Sequence, residues 1–468
     1  MATVGVLSFS DGRDFAHEIV RPEIQATERA LRELLEAGGH EVVSADEPVW
    51  SNHQAVHEGR RLRAVNPDCV VFNFSAWAFP HFAMLAASEI TAPLILMSNL
   101  DPARPGLVAM LAAAGGLDQV GRRYARVWGA IGDADVRDRL DVQISAAGAV
   151  SRLRGTTFGR IGGRPMGMYT ATAGTDIWLA RFGIDVEEID QFELVRRAEE
   201  ADPAEAQQGR SWLEENCRAV HYDGRLLTPE LLERQLRMYL AMRDLIDELH
   251  FDFTGIKGQP ELTSHFATAD VAEALLNDPY DWNGPKAPHV CATEADMDGA
   301  LTMQLMQLIA GTPALFADVR HYHRDRDVWD LCNSGQHATW LAGRSSDPEE
   351  NLRHVELFPA EFYFPAGGAS VYHIAAPGEF TFARLTRDNG RYRMHLLHGS
   401  AERYDEAENV ALAEQSTRTW PHMFARLDST PEAFLGSYAS NHIHGVPGDR
   451  RAELRGVCEL LDVDCIEL

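Results

Sequence analysis

The stretch His289–His323, HVCATEADMDGALTMQLMQLIAGTPALFADVRHYH, decides how the chain is read. His289-Val290-Cys291-Ala292-Thr293 is a short apolar run that ends at Glu294, and Pro313 to Ala317 is a second that ends at Asp318. Both read as buried strands. Between them Ala300, Leu301, Met303, Met306, Leu308 and Ile309 recur at near-helical spacing, so the unit reads strand, helix, strand. A helical crossover of this kind predicts a parallel pair of strands. Ligands of open parallel sheets sit beyond the carboxyl ends of the strands, where both acids fall. The expectation is two carboxylates converging on one crevice.

Outward from this unit, Phe251 to Ile256 is a further strand, and Lys257-Gly258-Gln259-Pro260-Glu261 is a polar turn at its carboxyl end, facing the same crevice. From about 190 to 250 the chain is charged and helical. Near the N-terminus, Thr3 to Phe9, His40 to Val43, Cys69 to Phe74 and Pro93 to Met97 are β-rich runs separated by helical patterns, which predicts a doubly wound α/β domain ending near residue 155. Trp77 follows one of these strands and could wall a small-molecule site. GRIGGRPMG at 159–167 lacks phosphate-loop spacing and reads as a tight turn. After 345, short alternating runs broken by Pro-Ala-Gly-Gly, Pro-Gly and Asp-Asn-Gly predict an antiparallel sheet or barrel.

Composition narrows the function. The chain has 468 residues with a formal net charge of −27, and a surplus of acids argues against nucleic-acid or acidic-membrane partners, because phosphate binding needs Lys and Arg. Six cysteines show no CxxC pairing and several lie in apolar runs, as reduced core residues do in a cytoplasmic protein. No leader-like segment and no run near eighteen apolar residues is present, so the expectation is a protein neither exported nor membrane-spanning.

A third cluster, Ser440-Asn441-His442-Ile443-His444-Gly445, puts two histidines at i and i+2, which share a face on a strand. One of them could meet the acids. A Glu, an Asp and a His with open positions suit a hard or borderline divalent ion such as Mn²⁺ or Mg²⁺ better than Zn²⁺, which prefers more nitrogen or sulfur.

DWNGPKAPHVCATEADMDGALT at 281–302, LFADVR at 315–320, Asn333-Ser334-Gly335, and SNHIHG at 440–445 occur in this order, and together they resemble the L-fucose isomerase family, itself related to L-arabinose isomerase. The resemblance is close over roughly 250 to 340 and 415 to 450. It implies metal ligands at Glu294, Asp318 and His442, with Mn²⁺ as the expected ion and Mg²⁺ or Co²⁺ as alternatives. It also implies two doubly wound α/β domains, here 1–155 and 156–344, the second bearing the acids, followed by a C-terminal antiparallel, barrel-like β domain, 345–468, supplying the histidine. A homo-oligomer, a hexamer in the family, is expected, with the N-terminal domain of one subunit completing another's site.

Aldose–ketose isomerisation moves a proton between C1 and C2 and another between O1 and O2 through a charged enediol. A divalent ion on O1 and O2 would stabilise that charge, with Glu294 and Asp318 serving as ligands and as the acid/base pair and His442 as a ligand. Thr293 and Asp296 are expected to support them. For the sugar itself, Asn441 matches a family substrate position, Gln259 faces the crevice, and Trp77 is expected to reach a neighbouring subunit's pocket. Lys257 stands where the family usually has Gln, which suggests a C6-modified or anionic sugar, such as a sulfonated one. Arg13 and His337 are weaker substrate candidates; the arabinose enzymes have a fourth His ligand near the His337 region. The rivals are a non-catalytic sugar-binding sensor and a metal-dependent epimerase or lyase.

Overall fold

A computed structural model describes residues 1–334 and 337–468, so Gly335 of the Asn-Ser-Gly motif lies outside the described residues. Internal contacts divide the chain into two units, Met1–Arg154 with Ala452–Asp464, and Gly155–Arg451 with Cys465–Leu468. None of the described helices is long and apolar enough to cross a membrane.

The first unit is built on five parallel strands in the order Glu41–Ser44, Thr3–Ser8, Cys69–Phe74, Leu94–Ser98, Tyr124–Trp128. Its inner strands are apolar apart from their ends and Asn73 because both faces are covered. Val4, Val6, Cys69, Val71 and Ile95 pack into one cluster, whereas Leu7, Val70, Phe72, Phe74 and Leu94 pack into another. Each fully buried Val, Leu, Ile or Phe contributes about 1.5–3 kcal/mol, so neighbours along one strand stabilise opposite layers. The helix Arg451–Leu461 returns to this unit, and Leu460 packs on the first of these clusters.

The second unit begins with four parallel strands in the order Cys291–Thr293, Phe253–Ile256, Thr157–Ile161, Asp185–Ile189. The helix Met297–Ala310 follows Cys291–Thr293 as the sequence predicts. Asp296 caps it by accepting a hydrogen bond from the Gly299 N–H at 3.0 Å, and Gly311 ends it at φ 68°. Met297 through Met306 are buried on every side, as expected of a helix held between two layers.

The predicted parallel partner does not form. Leu315–His323 leaves the parallel sheet and pairs antiparallel with Val328–Cys332 on one side and with His442–Pro447 on the other. A run buried on both faces has the same apolar pattern in a parallel sheet as in a closed barrel, so periodicity cannot say which sheet it joins.

The barrel that results runs Gly378–Asp388, His442–Pro447, Leu315–His323, Val328–Cys332, His422–Leu427, Arg391–Glu402, with Asp464–Glu467 added at the end. Gly378–Asp388 also pairs with Arg391–Glu402 through eleven registered positions from Gly378↔Ala401 to Asp388↔Arg391, and this closes the ring. Closure removes sheet edges and leaves the strand ends as the place for a site.

Candidate functional site

The turn after Cys291–Thr293 is where the backbone departs from ordinary geometry. Glu294 and Ala295 both adopt left-handed conformations, at φ 58° and 47°, although neither is glycine. Consecutive positions of this kind carry strain that the surrounding fold must hold, and such residues cluster at functional sites. The turn is anchored by the Ala295 N–H, which donates to the Ile256 carbonyl at 2.9 Å, and its effect is to present the Glu294 carboxylate beside the barrel.

Barrel pairing supplies the other two groups. Asp318 lies directly opposite His442 in the antiparallel register, so their side chains share a face. His442 Nε2 sits 3.0 Å from Glu294 Oε2 and 3.6 Å from Asp318 Oδ1. His442 is fully buried and Glu294 nearly so, whereas a quarter of the Asp318 side chain is exposed. His442 Nε2 therefore lies within 4 Å of both acids expected to share a centre with it.

Their supports are specific. His442 Nδ1 is 2.6 Å from Asp296 Oδ2, which holds the ring so that Nε2 faces the two acids. Asp296 in turn receives two bonds from the fully buried Arg384, Nη1 to Oδ2 at 2.6 Å and Nη2 to Oδ1 at 3.1 Å. Burial pushes the Asp296 carboxyl up, but the Arg384 guanidinium and His442 outweigh it and hold the group well below the usual carboxylate range. Burial also opposes a charged His442, yet its contacts with Asp296 and Glu294 raise it to about 10. Asp318 is pushed up by burial, opposed by His442 and reinforced by Glu294. Asn333 Nδ2 and Asn441 Nδ2 donate to its two oxygens at 3.2 and 3.3 Å.

Glu294 Oε2 and His442 Nε2 are buried, lie 3.0 Å apart and meet only one another and Asp318 among the described residues. A shared cation in place of the imidazole proton would satisfy both atoms. Two carboxylates and one imidazole with a solvent-facing side fit a divalent ion that keeps open coordination positions.

A small recess adjoins the centre and is lined by Gln259, Thr263, Asp270, Glu273, Thr293, Glu294 and Ser334 among others. Gln259 lines this recess beside Glu294. Asp270 and Glu273 are additional, with burial raising Asp270 to about 7 and Glu273 well above its ordinary value. Asp270 accepts bonds from Thr268 and, at 3.0 Å, from Ser370 Oγ. Both lie on the helix Asp270–Asn277, whose residues are all buried, and an acid on a fully buried helix was the available sequence signal. Arg384 had a fainter one, a cation between Ala383 and Leu385 inside an apolar strand.

The remaining expectations separate. Asn441 orients Asp318 directly. Lys257 Nζ lies 2.8 Å from Glu261 Oε1, so the cation offered to an anionic sugar already has a counter-ion. His337 is fully buried with its ring 5.8 Å from that of His373, and no hydrogen bond or ion pair joins it to Glu294, Asp318 or His442 among the described residues. In the other unit, Arg13 is paired with Asp11 at 2.6 Å and Trp77 packs on the apolar cluster around Phe72 and Phe74. The glycine turn at 159–167 leads to Met168, whose Sδ lies 3.7 Å from Asn441 Nδ2, and to Thr170, whose carbonyl accepts from Arg384 Nη2 at 3.0 Å.

Fold and centre together define an α/β protein in which a strained turn of a parallel sheet meets the strands of an antiparallel barrel around two carboxylates and an imidazole. Three L-fucose isomerase models match the chain: the first N-terminal domain over residues 1–155, the second N-terminal domain over 249–311 and the C-terminal domain over 331–468. The chain belongs to the L-fucose isomerase family. It is 29% identical over 390 residues to an L-fucose isomerase of Salmonella arizonae, covering 68% of this chain and 65% of that protein. To an L-fucose isomerase of Streptococcus pneumoniae it is 31% identical over 212 residues, covering 40% of this chain and only 36% of the relative. A solved structure of a conserved domain protein from Vibrio cholerae aligns over 55% of this chain and 74% of that chain at 15% identity with a TM-score of 0.18, too low to carry an argument.

Proposed function

We propose that the protein is a divalent-cation-dependent aldose–ketose isomerase. The observation that carries this reading is the approach of His442 Nε2 to Glu294 and Asp318, at 3.0 and 3.6 Å, with Asp296 behind the ring. Glu294, Asp318 and His442 would hold the ion, Mn²⁺ being the first candidate. When bound, it supplies Lewis-acid stabilisation to the charge that develops on the sugar oxygens. The chain's own residues do the rest. Glu294, nearly buried, and Asp318, on the solvent side, take and return the protons that move between C1 and C2 and between O1 and O2. Asn333 and Asn441 fix the Asp318 carboxylate, and Gln259 and Ser334 offer polar groups to the sugar hydroxyls.

The proposed substrate is an aldose, free or modified at C6. An anionic C6 substituent would have to displace Glu261 from Lys257. Arg13 and Trp77 enter this reading as groups that a second subunit brings to the site in a homo-oligomer. A sugar-binding sensor has no use for an acid/base pair, and a family of isomerases favours the enzyme over it. The test is ketose formation from a panel of aldoses, uronates and sulfonated sugars, with Mn²⁺ and with EDTA. Metal-dependent ketose formation from any of them is the expected result, and binding without turnover across the panel would overturn the proposal.

A further inference from the structure

The barrel register carries the row of side chains past the candidate centre. His442 lies opposite Asp318, Asp318 opposite Cys332, and Cys332 opposite His422, on four neighbouring strands. Directly opposed residues of antiparallel strands project to one face, so this face holds a second group of donors roughly 5–10 Å from Asp318, one to two strand spacings away. Asp330, two residues before Cys332, belongs to it. We infer that Asp330, Cys332 and His422 form a second cation site, structural in kind, that takes a borderline divalent ion of the zinc class.

Three observations converge on these residues. One donor atom from each lies within 4.8 Å of the other two, and all three residues are fully buried. The imidazole is also set for ligation. His422 Nε2 lies 2.8 Å from the Thr417 carbonyl, which can only accept, so Nε2 carries the proton and Nδ1 is the nitrogen aimed at Asp330 Oδ1, 2.7 Å away. A ligating histidine almost always donates its other N–H in this way. Asp330 is steadied by Ser416 Oγ, which donates to Oδ2 at 2.7 Å and leaves Oδ1 toward the ring.

The third observation is independent of the trio. His337 and His373 are buried, their rings lie 5.8 Å apart, and neither ring makes a side-chain hydrogen bond among the described residues. His373 is tied to His422 through the backbone, its carbonyl accepting from the His422 N–H at 2.9 Å. Two further buried imidazoles that interact with His422 add nitrogen donors to this part of the interior.

The donor sets then divide the ions between the two places. Glu294, Asp318 and His442 offer mostly oxygen and one solvent-facing side, whereas Asp330, Cys332 and His422 offer sulfur, nitrogen and oxygen in a closed interior. Sulfur and nitrogen select zinc over manganese or magnesium. The ion would tie Val328–Cys332 to His422–Leu427 and brace the strand beside Asp318. Binding of the ion through sulfur displaces the Cys332 thiol proton to solvent.

The test is Co²⁺ titration of the full-length chain after removal of metal, followed by absorbance and by metal content. Two ions per chain and a thiolate-to-cobalt charge-transfer band are expected. Glu294→Gln should weaken one ion and keep the band, and Cys332→Ser should abolish the band and lower the content to one. Should Cys332→Ser fail to fold, the band in the Glu294→Gln variant decides. A wild-type chain that binds one ion and shows no thiolate band, or a band that survives Cys332→Ser, overturns the inference.

Discussion

Two aspartates at the start of one helix meet two arginines from one barrel strand, and they fare differently. Asp296 pairs with Arg384 at 2.6 Å, Asp298 with Arg387 at 2.8 Å. Both carboxylates are buried, but Arg384 is 1% exposed and Arg387 is 24% exposed, and that difference decides their chemistry. Asp296 is gripped through both oxygens and also faces His442, so its charge is held despite burial. Asp298 is held through one oxygen, its other accepts from Tyr392 at 3.1 Å, and burial raises it. The pair that reaches the imidazole orients a functional group, whereas the pair that reaches Tyr392 fastens the helix to the barrel.

This contrast can be broken or sharpened at graded cost. Glu294→Gln should reduce ketose formation by at least about 10²–10⁴-fold with the far-ultraviolet spectrum unchanged, since an acid/base group typically contributes that much; unchanged turnover would remove Glu294 from the chemistry. Arg384→Met should cost about 3–5 kcal/mol in urea unfolding, because it leaves Asp296 buried without its counter-ion. Asp296→Asn should weaken Mn²⁺ binding about 10–100-fold by calorimetry, the usual effect of losing the group behind a ligating histidine.

Asp270 gives a prediction in pH. Its carboxyl is raised from 3.8 to about 7, so the folded chain keeps a proton that the unfolded chain gives up. Its contribution to stability is fully present below about pH 4 and is lost as pH rises towards 7, with a slope of up to about 1.4 kcal/mol per pH unit. Asp270→Asn should flatten the wild-type decline in urea midpoint over that range. Arg387→Met should be mildest, about 1 kcal/mol or less because the guanidinium is partly in water, and should leave Mn²⁺ affinity unchanged. Equal losses of affinity in Arg387→Met and Asp296→Asn would erase the distinction between the pairs.

Much of the fold is legible where local pattern and burial coincide. Cys69–Phe74 is buried along its whole length and apolar but for Asn73 because both sheet faces are covered, and Met297–Ala310 shows both its spacing and its caps. Tyr124–Trp128 escapes that reading. It is an edge strand whose residues alternate between buried and exposed, and Arg122, Arg123 and Arg126 mask the signal. The sheet that Leu315–His323 joins is equally silent, since pairing with His442–Pro447 spans more than a hundred residues and leaves no periodic trace.

The candidate centre divides in the same way. Glu294, Asp318 and His442 stand at strand ends within dense motifs and could be read from the residues with the family resemblance beside them. Arg384 could not, because its partner Asp296 is 88 positions away and only the folded barrel reveals that the two ends of the ion pair meet. Lys257 shows the opposite limit, for its charge is visible in sequence and its neutralisation by Glu261 needs the turn geometry.

The central claim is that Glu294, Asp318 and His442 hold one cation. Anomalous diffraction at the manganese edge from crystals grown with Mn²⁺ tests it most directly. A manganese peak is expected within about 2.0–2.4 Å of Glu294, Asp318 and His442 Nε2, the usual range for oxygen and nitrogen ligands. A manganese peak elsewhere, with those three side chains bonded only to one another, would contradict it.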